Sequence, residues 1–157
     1  MNIEIERKYL VKDLSFRDSA HRYLAIKQGY LSTDKDRSVR VRVLDQRGFL
    51  TIKGRSSEDG LSRYEWEKEI AKDEALELLK LTLPGRIEKV RYLVNYADHM
   101  WEVDVFEGIN KGLILAEIEL SSEKEHFELP PFIGQEVTGD VRYYNAYISK
   151  HPFNTWK

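Results

Sequence analysis

Met1-Asn-Ile-Glu-Ile-Glu-Arg-Lys-Tyr-Leu10 is the stretch whose reading decides the fold. Glu4, Glu6 and Lys8 share one parity, and Ile3, Ile5 and Tyr9 share the other. Side chains alternate faces along a strand, so the stretch reads as a β-strand with one apolar face and one face of two acids and a base. Taken alone it fits an ordinary half-solvated antiparallel strand, where apolar-in and charged-out is the usual pattern. Repetition along the chain changes that reading.

Seven further segments read as strands. Ala25–Leu31 (AIKQGYL) contains Gly29, which points to a bulge or a close backbone approach. Ser38–Leu44 sets Val39, Val41 and Val43 against Arg40 and Arg42, and after a hairpin turn at Asp45–Gly48, FLTIKG sets Leu50 and Ile52 against Thr51 and Lys53. SRYEWEKEI alternates Arg63, Glu65 and Glu67 with Tyr64 and Trp66. Beyond it, Lys89 and Arg91 oppose Val90 and Tyr92; Glu102 and Asp104 oppose Trp101, Val103 and Val105; Glu117 and Glu119 oppose Ala116, Ile118 and Leu120. Between these strands, the leucine spacing over Asp73–Leu83 predicts a helix ended by Pro84-Gly85. A short helix capped by Ser15 is expected within 12–23. From Phe127 onward the tail is expected to be loop, then a final helix around Tyr143–Ile148.

The composition narrows the function classes. A chain of 157 residues suits one domain, and Lys plus Arg at 25 against Asp plus Glu at 27 leave a net charge of -2, without the basic excess of a nucleic-acid binder. No cysteine is present, which removes disulfides, thiolate metal sites and a cysteine nucleophile. Glu4 and Glu6 stand where a signal peptide needs a basic and then an apolar run, and no stretch reaches membrane-spanning length, so a cytoplasmic protein without membrane partners is expected. P-loop, GxGxxG and GxSxG patterns are missing, and His21, His99, His126 and His151 are scattered without ligand spacing.

Eight antiparallel strands joined by short turns tend to close into a barrel, because closure removes exposed edges. Whole strands here are all-acidic or all-basic on one face, which is repulsive unless the faces meet one another around an enclosed ligand. Turned inward, six bases (Lys8, Arg40, Arg42, Lys53, Lys89, Arg91) face eight acids (Glu4, Glu6, Glu65, Glu67, Glu102, Asp104, Glu117, Glu119). Carboxylates without Cys or spaced His favour a hard divalent cation such as Mg²⁺ or Mn²⁺, and the bases suit a polyphosphate. Metal with polyphosphate points to phosphoryl transfer.

These residues resemble the CYTH, or triphosphate tunnel metalloenzyme, family. Glu4-x-Glu6-x-Lys8 resembles its opening signature, and the likeness continues through Arg40-x-Arg42, Thr51-Ile-Lys53-Gly54, Arg63-x-Glu65-x-Glu67, Lys89-x-Arg91, Glu102-x-Asp104, Glu117-x-Glu119 and the late Val137-Thr-Gly-Asp-x-Arg-Tyr-x-Asn145. The resemblance implies an α+β fold: an eight-stranded antiparallel barrel, or tunnel, with a charged interior and helices packed outside, residues 1–157 forming one CYTH domain. It implies that Arg40, Arg42, Lys53, Lys89 and Arg91 hold a triphosphate together with Lys8. Glu4, Glu6 and Glu119 would hold a divalent metal with Asp104 and Glu117 near, while Glu65, Glu67 and Glu102 would support the bases or metal waters. A Lys8–Tyr30 pair would sit at the attacked phosphorus, although a lysine beside Glu4 and Glu6 is stabilised in its charged form.

The expected activity is metal-dependent hydrolysis of inorganic tripolyphosphate to pyrophosphate and phosphate by a monomer or homodimer. Class IV-type adenylate cyclase, thiamine or nucleoside triphosphatase, and a non-catalytic polyphosphate-binding module are the rival readings. The module would need the bases but not the acids.

Overall fold

The computed structural model describes residues 2–156, so Met1 lies outside the described part of the opening strand. In chain order the elements are β1 (Asn2–Val11), α1 (Phe16–Ser19), β2 (Arg22–Ser32), β3 (Arg37–Leu44), β4 (Arg47–Ser56), β5 (Ser62–Ile70), α2 (Lys72–Leu79), β6 (Ile87–Tyr96), β7 (His99–Phe106), β8 (Ile114–Glu119), β9 (Ile133–Glu136) and α3 (Asn145–Lys150). The strands form one sheet in the order β5-β4-β3-β2-β6-β7-β8-β1-β9, and a β5–β1 pairing closes the first eight into a barrel. β1 makes closure possible by dividing its length: Ile3 to Ile5 pair with β5, whereas Glu6 to Leu10 pair with β8.

The outward apolar faces explain where the helices sit. Val41 and Val43 pack under Ala75 and Leu79 of α2. Gly48 has no side chain at the place where a Cβ would come within 2.7 Å of the Ala75 Cβ. Phe16 of α1 joins Trp101, Val103 and Ile118 over another part of the barrel. α3 departs from the expectation of helices packed on the outside. Its Ile148 clusters with Phe106 and Leu115, which share the inward parity of Asp104 and Glu117, so the C-terminal segment closes one end of the barrel.

Several expectations shift in detail. The helix expected over 73–83 ends at Leu79, because Leu83 N–H donates to the Tyr30 carbonyl and Thr82 comes so near Gly29 that a Cβ there would lie 2.6 Å from Thr82 Oγ1. This is the close approach that Gly29 signalled. The expected eight strands gain a ninth: β9 adds to β1, through Val11 opposite Ile133. At α1, Ser15 makes no side-chain cap; its N–H instead donates to Asp13 Oδ1. The turn between β6 and β7 is two residues, Ala97-Asp98, both at positive φ (47° and 67°). Trp66 is 43% exposed, unlike the fully buried Trp101 on the same parity class of its strand. Among the described residues no helix is long and apolar enough to cross a membrane.

Candidate active site

Parity along the ladders turns the charged faces toward one another and leaves a cavity of about 240 Å³ inside the barrel. Glu4, Glu6, Lys8, Tyr30, Arg40, Arg42, Lys53, Glu65, Glu67, Arg91, Glu102, Glu117 and Glu119 all line it. Lys89 and Asp104, also expected at the site, lie behind this lining.

The bases fall into two groups. On β6, Arg91 is gripped on two sides of its fork by Asp104, Nε to Oδ1 at 2.7 Å and Nη2 to Oδ2 at 2.9 Å, while Nη1 reaches Glu102 at 3.2 Å. Lys89 Nζ lies 2.7 Å from Asp104 and donates to Asn145 Oδ1 at 3.1 Å. Burial opposes the charge on Asp104, but Arg91 and Lys89 outweigh it and hold the carboxyl far below the ordinary range. On β3 the partners are mostly neutral. Arg40 donates to Thr51 Oγ1 at 3.3 Å, with Glu67 no nearer than 3.8 Å, and among the described residues Arg42 donates only to Gln28 Oε1, at 3.1 Å. Burial, with Arg40 and Arg91 near, lowers Arg42 to about 9.

Lys8 belongs with the paired bases. Its ammonium donates to the Tyr143 carbonyl at 2.9 Å and lies 3.4 Å from Glu117. Burial disfavours its charge, yet Glu117 and Glu6 raise it above the ordinary lysine value, so it acts as a cation and is a poor base. Lys53 bridges Glu4 at 2.8 Å and Glu65 at 3.6 Å. Tyr30 stands directly across from Arg40 and is nearly fully buried.

The acids are placed against one another. Glu6 sits opposite Glu119 across β1 and β8, and Glu102 opposite Glu117 across β7 and β8. Like charges facing across a ladder repel. Burial, then Glu117 and Glu4, push Glu6 well above the ordinary carboxylate range; burial, then Glu4 and Glu102, raise Glu119. Burial, and a hydrogen bond that its protonated carboxyl donates to Glu4, raise Glu65 to about 7. Such a set of oxygen donors suits a hard divalent cation, whose charge would relieve the repulsion. Among the described residues no three acids already converge as a cage.

The cavity also takes in residues the sequence reading left unassigned to it: Ser38, Thr51, Arg63, Tyr144 and Asn145. Thr51 and Arg63 had a readable signal, since both share the parity of charged neighbours. Tyr144 and Asn145 come from the C-terminal segment, whose return to the barrel end strand periodicity does not encode. Asn145 tethers that segment through Lys89, and Arg142 pairs locally with Asp140 at 2.7 Å.

A closed antiparallel barrel with acids and bases of both signs turned onto one internal cavity defines the class. The CYTH domain model matches residues 2–145, and the chain belongs to the CYTH domain family. It is 46% identical to an inorganic triphosphatase of Acetivibrio thermocellus, over 100% of this chain and 99% of that one. It is 41% identical to an inorganic triphosphatase of Nitrosomonas europaea, covering 93% of this chain and 96% of the relative. A crystal structure of an inorganic triphosphatase superposes with a TM-score of 0.67 at 35% identity, covering 93% of this chain and 97% of the other.

Proposed function

We propose that this protein hydrolyses inorganic tripolyphosphate to pyrophosphate and phosphate with a divalent cation, Mg²⁺ or Mn²⁺, in the cytoplasm. The observation that carries the reading is the cavity itself: among the described residues Arg42 has no carboxylate partner and Arg40 has Glu67 only at 3.8 Å, while across the cavity burial and the neighbouring carboxylates keep Glu6 and Glu119 raised. The two relatives named inorganic triphosphatases support the choice of substrate.

In this reading Arg40, Arg42, Lys53 and Arg91 bind the phosphate oxygens by charge-assisted hydrogen bonds, with Lys8 adding a fixed positive charge. Glu4, Glu6, Glu117 and Glu119 would hold the cation, which when bound would supply charge neutralisation of phosphoryl oxygens and a more acidic bound water. Water attacks the terminal phosphorus; the P–O bond to the bridging oxygen breaks, and pyrophosphate leaves with the electron pair. Tyr30 lies beside Arg40 at this phosphate row and orients it. Glu65, Glu67 and Glu102 orient Lys53, Arg40 and Arg91 respectively. Asp104, first expected near the metal, is better read as the support of Arg91 and Lys89, because both bases already occupy its oxygens. Lys89 follows it into that supporting layer. One sheet containing all nine strands supports residues 1–157 as a single CYTH domain, acting as a monomer or homodimer.

The test is a panel of tripolyphosphate, ATP and thiamine triphosphate assayed with Mg²⁺ or Mn²⁺, with the products identified. Metal-dependent release of phosphate and pyrophosphate from tripolyphosphate, faster than turnover of the other two, is expected. Cyclic AMP from ATP would establish the cyclase reading instead, and binding without turnover of any of the three would leave a polyphosphate-binding module.

A further inference from the structure

Gln28 is out of place by ordinary packing rules. It lies on β2 in a series of one parity with Leu24, Ile26 and Tyr30, all buried, and its own side chain is 0% exposed. Among the described residues its amide nitrogen has no hydrogen-bond partner. A buried donor left unpaired is costly, and an apolar residue continuing the Leu24–Ile26 series would avoid that cost.

The other half of the amide explains its presence. Gln28 and Arg42 are directly opposite across the β2–β3 ladder, and Gln28 Oε1 accepts from Arg42 Nε at 3.1 Å. A guanidinium is planar, so fixing Nε fixes the direction of the Nη1 and Nη2 fork. That fork belongs to a residue lining the cavity, and among the described residues no carboxylate pairs with it. Arg91 shows the alternative: its fork is oriented equally firmly, but by the carboxylates of Asp104 and Glu102, which consume much of its charge.

We propose that Gln28 is the positioning residue of Arg42, a neutral acceptor that aims the guanidinium into the cavity while leaving its charge whole for a substrate phosphate. A glutamate of the same shape would aim the fork but cancel the charge. A methionine would leave the charge but release the aim. This inference rests on the triphosphatase reading and deepens it by assigning how one phosphate contact is built.

The experiment is a double-mutant cycle on tripolyphosphate hydrolysis at saturating Mg²⁺, using wild type, Gln28→Met, Arg42→Ala and the double variant. Gln28→Met alone should lower kcat/KM about tenfold or more, chiefly through KM, as loss of a hydrogen bond to a charged group does. In the Arg42→Ala background the same change should cost less than about twofold, because residues acting through one another are not additive. Equal losses in both backgrounds would overturn the proposal. If Gln28→Met does not fold, as read by its melting curve, the isosteric Gln28→Glu carries the test: KM should rise in the wild-type background and stay unchanged in Arg42→Ala. An unchanged KM for Gln28→Glu in the wild-type background would overturn it equally. Wild-type turnover separates the two levels. No hydrolysis by wild type defeats the triphosphatase reading and this assignment with it, whereas hydrolysis with additive losses defeats the assignment alone.

Discussion

The bases of β3 and β6 face the same cavity but are held in opposite ways. Arg91 and Lys89 share Asp104 so closely that their charge is largely spent inside the protein, whereas Arg40 and Arg42 lean on Thr51 and Gln28, which take hydrogen bonds and leave the charge. The difference teaches that the partner of an arginine facing the cavity sets how much of its charge stays unpaired for a ligand. The β6 pair holds strands together when the cavity is empty. The β3 pair has the most to gain when an anion arrives.

The largest effect should come from breaking the β6 side. Asp104→Ala leaves Arg91 and Lys89 buried without a partner, and breaking a buried pair in this way costs about 3–5 kcal/mol. Denaturant melts should show it; a loss below about 1 kcal/mol would mean that Asp104 is not the support of the two bases.

Next in size is the β3 side. Arg42→Ala should lower catalytic efficiency about a hundredfold, as removal of a transition-state charge contact does. Stability should hold or rise, because burial and the neighbouring Arg40 and Arg91 already lower Arg42 to about 9. Steady-state kinetics beside melting curves check both halves. A variant that loses stability while keeping its kcat/KM would place Arg42 with Arg91.

A smaller effect belongs to the acids. In metal-free protein burial and Glu4 raise Glu65 to about 7 from 4.5. A raised carboxyl favours the protonated form in the fold, so its stabilisation is complete below 4.5 and is lost as pH rises through about 7. Glu65→Gln mimics the protonated form. In EDTA, wild type should therefore lose a few degrees of Tm relative to Glu65→Gln between about pH 5 and about pH 8. Parallel curves for the two proteins would contradict the shift.

Much of the comparison was legible in the sequence, and its limits have a physical cause. Period-two alternation places Arg40, Arg42, Lys89, Arg91 and Asp104 on the inward face, because strand parity is a local property. Parity carries no information about height along the barrel. It could not tell that Lys89 and Asp104 lie behind the cavity lining while Arg42 opens onto it. Gln28 stands in the sequence only as an interruption of an apolar series in AIKQGYL, and its meaning depends on a register partner fourteen positions away. β9 has only four residues, one of them glycine, and takes its pairing from β1 rather than from a pattern of its own. The α3 closure depends on Ile148 meeting Phe106 and Leu115, a tertiary contact that helix periodicity does not announce.

The central claim is that the cavity reads phosphates and is completed by a divalent cation. Its most direct test is thermal shift of the wild-type protein with Mg²⁺ and a triphosphate analogue whose bridging oxygens are replaced by non-hydrolysable groups, beside Mg²⁺ alone and adenosine alone. A ligand binding only the folded state stabilises it by about 2.7 kcal/mol at a hundredfold excess over Kd. The phosphate-reading cavity predicts a large rise in Tm with the analogue and Mg²⁺ together, a smaller one with Mg²⁺, and none with adenosine. A large rise with adenosine, or none with the analogue, would contradict it.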